Sequence, residues 1–228
     1  GNFYFFNING ENLNLNVLNN NFKIRHEIFK NKKNFSDIYH GIRDIKIIDE
    51  KLYVSYVKEV EYDCYNISII VAKFNLSYLN FREFFSPKEC VESYYHDKKK
   101  DENFDAWHTG GRIEDYEDGK ILLTHGDWKI RSKAQDENSI LGKILSIEKE
   151  NPQNYKIVAL GSRNPQGMFY DKESKVIVFS EHGPLGGDEI NIHSNPINEV
   201  KNYGWPISSY GNHYIDTPQK KIFAPLHK

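Results

Sequence analysis

The stretch GSRNPQGMFYDKESKVIVFSEHGPLGGDEIN, residues 161–191, sets one apolar strand, Lys175–Phe179, between two polar turns, Arg163–Gly167 and Glu181–Glu189. Runs such as HGPLGGDE have no apolar face to bury. They read as loops fixed by a rigid strand, where binding and catalytic groups concentrate. Before the strand, Gly167-Met-Phe-Tyr170 leads into an acidic turn at Asp171–Ser174, which completes a hairpin.

The same hairpin occurs twice upstream. Gly41–Ile47 turns at Asp49-Glu50 and returns as Lys51–Val57. Gly111–Tyr116 turns at Asp118-Gly119 and returns as Lys120–His125. Each copy runs glycine, strand, acidic turn, Lys, apolar strand and polar residue. A third strand follows each, at Ile67–Phe74, Gly142–Ile147 and Glu189–His193, and two copies add a fourth, Phe81–Phe85 and Tyr155–Leu160. A four-stranded antiparallel unit recurring at this spacing signals a propeller, whose blades ring a channel and present their inner turns at its rim. The expected fold is therefore all-β, with about three to four blades across residues 1–228 in a single domain. Since closed rings take roughly four to eight blades, the ring is expected to be incomplete at the C-terminus, and at the N-terminus too if blades precede.

Outside the repeats, Phe3–Phe6, a turn at Asn9–Asn12 and Leu13–Val17 predict a hairpin, and Phe22–Phe29 a further strand. Only Ser77–Phe85 carries a trace of helical spacing. Residues 58–105 form an atypical insertion that holds both cysteines and the charged run DKKKDENFD. Cys64 and Cys90 make no metal-binding pattern, which leaves one disulfide or two free thiols. Net charge is −2, so no basic footprint points to nucleic acid, and no apolar run is long enough to span a membrane. The first residue is Gly and no leader pattern follows, as expected of a mature, trimmed or fragmentary chain.

Four polar clusters fall at the inner turns. His108 precedes an inner strand among glycines, where a neutral imidazole suits a general base. Asp127, after His125-Gly126, is placed to orient His108 or to bind a substrate hydroxyl. Arg163 and Asn164 offer a planar donor fork and an amide, suited to a flat anionic ligand rich in carbonyls. In the cluster Glu181–Glu189, carbonyls around Gly183 and Pro184, with nearby carboxylates, suit a hard cation such as calcium. These residues alone do not separate a dehydrogenase from a lactonase or a binding module.

The ordered motifs HTGGRI from His108, AQD from Ala134 with LGKIL from Leu141, GSRNPQGM from Gly161, SEHGPLGGDEIN from Ser180, and NYGWP from Asn202 with SYGNHY ending at Tyr214 go further. They resemble the soluble sugar dehydrogenases dependent on pyrroloquinoline quinone (PQQ), the glucose/sorbosone dehydrogenase family. The resemblance covers roughly residues 41–214 and implies a six-bladed propeller that oxidises an aldose at C1 to a lactone with PQQ and calcium. By position, His108 matches the general base, Asp127 its supporting acid, and Arg163 and Asn164 the quinone contacts, with Arg163 polarising a quinone carbonyl. Tyr214 matches a further cofactor contact. Gly183 and Pro184 match the carbonyls that hold the cofactor's calcium, and Glu189 and Tyr203 match ligands of a second, structural calcium.

Three positions depart from the pattern. Tyr39 and His40 precede Gly41 where the family usually carries a glutamine, and Ser146 replaces an Arg. The later blades, which supply basic residues to the cofactor carboxylates, lie beyond the chain. A sugar substrate, an electron acceptor that the sequence does not name, and a periplasmic or secreted location complete the expectation. The alternatives are a calcium-dependent propeller lactonase or other hydrolase, and a non-catalytic propeller that binds sugar or protein.

Overall fold

A computed structural model describes residues 3–5, 16–22, 41–117 and 119–211. The predicted turn at Asn9–Asn12, most of Phe22–Phe29, and Tyr214 lie outside these. Two short strands come first, β1 (Phe3–Phe5) and β2 (Asn16–Asn20). The first blade contains β3 (Ile42–Ile48), β4 (Lys51–Glu61), β5 (Cys64–Lys73) and β7 (Arg82–Phe85) in that spatial order. Between them in sequence, β6 (Tyr78–Leu79) joins β1 and β2 in a three-stranded sheet. The faint helical spacing over Ser77–Phe85 is thus overturned. Two aromatics of that segment pack onto the sheets instead, Phe84 of β7 against Tyr53 and Phe81, just before β7, against Phe3.

β8 (Val91–Glu92) pairs with the start of β5, and β9 (His96–Asp97) forms a hairpin with β10 (Glu102–Asn103). The second blade is β11 (Gly110–Asp115), β12 (Lys120–His125), β13 (Lys143–Glu148) and β14 (Tyr155–Leu160), with β18 (Lys201–Asn202) parallel to β14. The third is β15 (Pro165–Asp171), β16 (Val176–Glu181) and β17 (Glu189–His193). A 3-10 turn, Arg131–Gln135, links β12 to β13. No helix among the described residues is long and apolar enough to cross a membrane.

Period-two alternation explains how the blades stack. On β4, Tyr53 and Val57 join Ile67, Ile69, Ile121, Leu123 and Leu145 in the core between the first two blades. Leu52 and Val54 face the other way, toward Phe3, Leu18 and Leu79. On β12, Leu122 points opposite to Ile121 and Leu123 and packs with Tyr170, Ile177 and Phe179 of the third blade. Each such side chain, fully buried, contributes about 1.5–3 kcal/mol. A register slip by one residue would exchange the two faces and expose both sets.

Each innermost strand is irregular where it begins, at Ile42/Asp44, Gly110/Ile113 and Pro165/Gly167. Bulges re-aim the backbone at a rim, and here they recur at the end of the strand that carries the polar clusters. Gly111 sits at φ +105°, and a Cβ there would lie 2.5 Å from Arg43 Cβ. Only glycine allows the first two inner strands to approach this closely. Arg112 then bonds Asp44 at 2.9 Å and the Gln166 carbonyl at 2.9 Å, linking all three blades.

The two cysteines form a disulfide, with Cα atoms 5.4 Å apart. It ties the start of β5 to the segment leading into β8.

Candidate active site

His108 lies in the loop that enters β11, and Asp127 in the loop that leaves β12. Antiparallel pairing of Gly110 with His125 therefore brings both to the same end of the second blade. The loops press together: a Cβ on Gly126 would lie 2.1 Å from the His108 carbonyl oxygen. The Trp128 N–H donates to that oxygen at 3.0 Å, and the Gly126 N–H to the Thr109 carbonyl at 2.9 Å. His108 Nδ1 then stands 2.9 Å from Asp127 Oδ1. A carboxylate on Nδ1 fixes the tautomer with Nδ1 protonated, leaving the Nε2 lone pair to accept a proton.

Asp127 is fully buried, and burial alone would raise its pKa. The His108 and Arg163 charges, the His108 hydrogen bond and the Lys129 N–H more than offset this and hold it below the usual carboxylate value. Its second oxygen, Oδ2, accepts from the Trp205 indole N–H at 2.8 Å. Trp205 is buried, and its ring lies beneath the Arg163 guanidinium, 5.5 Å from Cζ to the ring centroid. Gln135 Nε2 holds the Trp205 carbonyl at 2.6 Å. The loop bearing Gln135 is in turn pinned by Lys143, whose ammonium donates to the carbonyls of Lys133, Ala134 and Leu141 at 2.7–2.9 Å.

Arg163 and Asn164 enter β15. The Arg163 carbonyl accepts the Asp127 N–H at 2.8 Å, so the second and third blades share a backbone bond beside the His–Asp pair. Arg163 Nη1 donates to the carbonyls of His182 at 2.8 Å and Gly183 at 3.0 Å. Its other nitrogens make no hydrogen bond among the described residues, and they remain as donors for a flat anionic ligand. Asn164 is committed to the loop of the base: its Oδ1 accepts the Gly110 N–H at 3.1 Å and its Nδ2 donates to the Trp107 carbonyl at 3.0 Å.

Gly183 and Pro184 lie in the turn after β16. Pro184's carbonyl accepts the Gly187 N–H at 2.7 Å, and Gly183's accepts from Arg163. Each carbonyl oxygen has a second lone pair available to a cation. Arg163, Glu181, Gly183, Pro184, Glu189, Tyr203 and Trp205 share the lining of one small cavity. Tyr203's hydroxyl is buried without a hydrogen-bond partner, and burial raises its pKa. Burial also pushes Glu181 up to about 8, with the charges of Glu189 and Asp127 adding to the rise and the Arg163 N–H opposing it. Two carboxylates, an orphaned phenol oxygen and nearby carbonyls make a hard-donor set that fits a cation. No group of three His, Cys, Asp or Glu side chains arranged for a metal occurs among the described residues.

The structure thus brings His108, Asp127, Arg163, Asn164, Gly183, Pro184, Glu189 and Tyr203 to one end of the second and third blades. Glu181, from the cation-suited cluster, and Trp205, to which the sequence gave no role of its own, also belong to this assembly. Trp205 stood inside a quoted motif, yet only the folded chain shows it reaching Asp127 across 78 residues.

Consecutive four-stranded blades with a buried His–Asp pair at their inner turns define a propeller with an active-site-like rim. The profile of the glucose/sorbosone dehydrogenase family matches residues 14–224, and the chain belongs to that family. It is 35% identical over 119 residues to the aldose sugar dehydrogenase YliI of Escherichia coli (strain K12), a match covering 47% of this chain and 31% of the relative. To quinoprotein glucose dehydrogenase B of Acinetobacter calcoaceticus it is 34% identical over 128 residues, covering 43% and 26%. Among solved structures, the apo-form of the soluble aldose sugar dehydrogenase from Escherichia coli aligns with TM-score 0.64 at 25% identity, over 82% of this chain and 55% of that one. The PQQ-bound aldose sugar dehydrogenase from Streptomyces coelicolor shares the fold with TM-score 0.56 at 21% identity, over 74% and 49%. The matches thus span about a third or less of the curated relatives and about half of the solved structures.

Proposed function

We propose that the protein oxidises an aldose at C1 to the lactone, using PQQ and calcium. The observation that carries this reading is the His108–Asp127 pair, with Nδ1 tied at 2.9 Å to a buried carboxylate held in its ionised form. His108 Nε2 takes the proton of the anomeric hydroxyl, and Asp127 stabilises the imidazolium that results. Bound PQQ would supply the two-electron acceptor for the hydride leaving C1. Arg163, with N–H groups still available, and Asn164 would contact it, and Tyr214 by its place in the sequence is a further contact. The carbonyls of Gly183 and Pro184 would hold the cofactor's calcium, and Glu189 and Tyr203 a second calcium. Arg163 serves in two ways, bracing the Gly183 turn through Nη1 and presenting positive charge to the cofactor side.

A PQQ-bound relative in the same fold and a relative named as a quinoprotein support the cofactor assignment. The Cys64–Cys90 disulfide supports a periplasmic or secreted location, where such bonds persist. The single-propeller organisation, with 58–105 as an elaboration of the first blade, belongs to the same proposal.

The test is reconstitution of the full-length protein with PQQ and calcium, followed by aldoses and a dye acceptor. Dye reduction with lactone formation is expected. An intact quinone spectrum on binding, with no reduction across a broad aldose panel, would overturn the reading in favour of a non-catalytic propeller.

A further inference from the structure

Three stretches match the Asn-x-Ser acceptor sequence for N-linked glycans: Asn34-Phe-Ser36, Asn66-Ile-Ser68 and Asn75-Leu-Ser77. Matches this short arise by chance, and the fold decides which of them can carry a glycan. The first lies outside the described residues. The other two are close in sequence and sit in opposite environments. Asn66 lies within β5 and is 1% exposed. Its Nδ2 donates to the Pro87 carbonyl at 2.7 Å, and its Oδ1 accepts the Ser68 hydroxyl at 2.8 Å. A sugar on that nitrogen would break the first bond and open a buried polar position, so the folded blade excludes it.

Asn75 is exposed, in the loop from β5 to β6. The Phe74 N–H donates to the Glu50 carbonyl at 2.7 Å, and the chain leaves the blade after it. Oδ1 of Asn75 accepts both the Ser77 N–H at 2.7 Å and the Ser77 hydroxyl at 2.6 Å. Both bonds fall on the oxygen, and Nδ2 donates to nothing among the described residues. A substituent on Nδ2 therefore breaks no bond and meets solvent. Around it, Phe74, Leu76 and Tyr78 also stand in water, the last two 54% and 48% exposed. Three large apolar side chains left exposed within five residues mark surface that something covers.

We propose that Asn75 is an N-glycosylation site, carrying a glycan whose first residue is an N-acetylhexosamine. This rests on the exported location inferred above from the Cys64–Cys90 disulfide. The donor is an oligosaccharide on a lipid diphosphate. Nδ2 forms a bond to C1 of the first sugar and gives up one proton. The bond from C1 to the diphosphate oxygen breaks, and the lipid diphosphate leaves with the electron pair, so nothing is oxidised or reduced. The C–H face of the first ring matches the aromatic surface of Phe74 and Tyr78. The glycan also stands clear of the candidate active site, because the Asp49-Glu50 turn beside Phe74 closes the end of the first blade away from His108.

The experiment is peptide mass mapping of the full-length protein purified from its source, reduced and cut with trypsin, before and after a peptide N-glycosidase. Trypsin cuts after Lys73 and Arg82, so peptide 74–82 carries Asn75 and peptide 59–73 carries Asn66. Before the glycosidase, peptide 74–82 should be missing at its bare mass. After it, the peptide should appear with Asp in place of Asn75, while peptide 59–73 keeps its bare mass throughout. Ser77→Ala should abolish the glycan and Ser77→Thr should retain it, which ties the modification to the acceptor sequence. A bare 74–82 peptide from the native protein, or a glycan on Asn66 instead, overturns the assignment. A bare peptide beside an intact Cys64–Cys90 bond overturns the glycan alone, whereas a bare peptide with both thiols free removes the exported location as well.

Discussion

Trp205 and Asp127, 78 residues apart, are joined by a 2.8 Å hydrogen bond from the indole N–H to the carboxylate oxygen that His108 does not use. A donor to a charged acceptor is worth about 1.5–3 kcal/mol. In Trp205→Phe the ring remains beneath Arg163 and the donor is lost. Turnover should fall roughly tenfold or more, by the same magnitude. Unchanged turnover in Trp205→Phe would reduce Trp205 to a packing role.

His108→Ala should abolish aldose oxidation while PQQ still binds, as seen in the quinone absorbance. Asp127→Asn keeps the shape but removes the charge and disturbs the tautomer, and a loss of 10²-fold or more is expected. Turnover preserved in either variant would reject the assignment of the base.

Calcium should raise the melting temperature of the full-length protein, and chelation should lower it. Glu181→Gln should blunt that response, because Glu181 shares its cavity with Glu189 and the unpartnered Tyr203 hydroxyl. Scanning calorimetry with and without calcium reads this directly. An undiminished calcium shift in Glu181→Gln would remove that carboxylate from the donor set.

His125 is fully buried, stacks near Trp128 and keeps Nε2 without a partner. Burial pushes its pKa down to about 4, opposed by a bond to the Gly126 carbonyl and aided by the Lys143 charge. The unfolded chain binds this proton first. Stability from a neutral His125 is therefore complete above the ordinary His value near 6.5 and drains away as pH falls toward 4, by up to about 3 kcal/mol. Denaturant melts of His125→Phe across this window should show a shallower decline than wild type. Parallel curves would contradict the buried neutral ring.

Replacing Cys64 and Cys90 by serine opens a loop of 26-residue separation. Loop entropy sets the expected cost at roughly 3–4 kcal/mol. Mass analysis with and without reductant should confirm the bond in the native protein, and melts of the double variant give the cost.

The blades were legible because their signal is local and repeated. The returning strands β4, β12 and β16 each follow an acidic turn and begin with, or just after, a Lys, and the apolar residues of β4 and β12 alternate between two buried faces. Ser77–Phe85 misled because a few aromatics at near-helical spacing mimic a helix, whereas packing against Phe3 and Tyr53 decided for strands. His108 and Asp127 were readable as types at turns. Their 2.9 Å contact was not, since it depends on Gly126 letting two loops touch. Trp205 was the least legible, because its partner is fixed by the path of the chain after the third blade.

One further feature lies in the inner hairpins, whose two ends are differently built. At the end away from His108, Lys149 bridges Asp49 of the first blade and Asp115 of the second, Asp115 also meets Lys172 of the third, and Lys175 meets Glu117. Asp49, Lys172 and Lys175 are exposed, so the pairs they make are individually weak and replaceable. The His108 end relies on buried donors and close glycine contacts that tolerate little change. Adaptation to heat or salt can therefore rewrite the charged end, one pair at a time, while the chemistry at the other end of the same strands is inherited untouched.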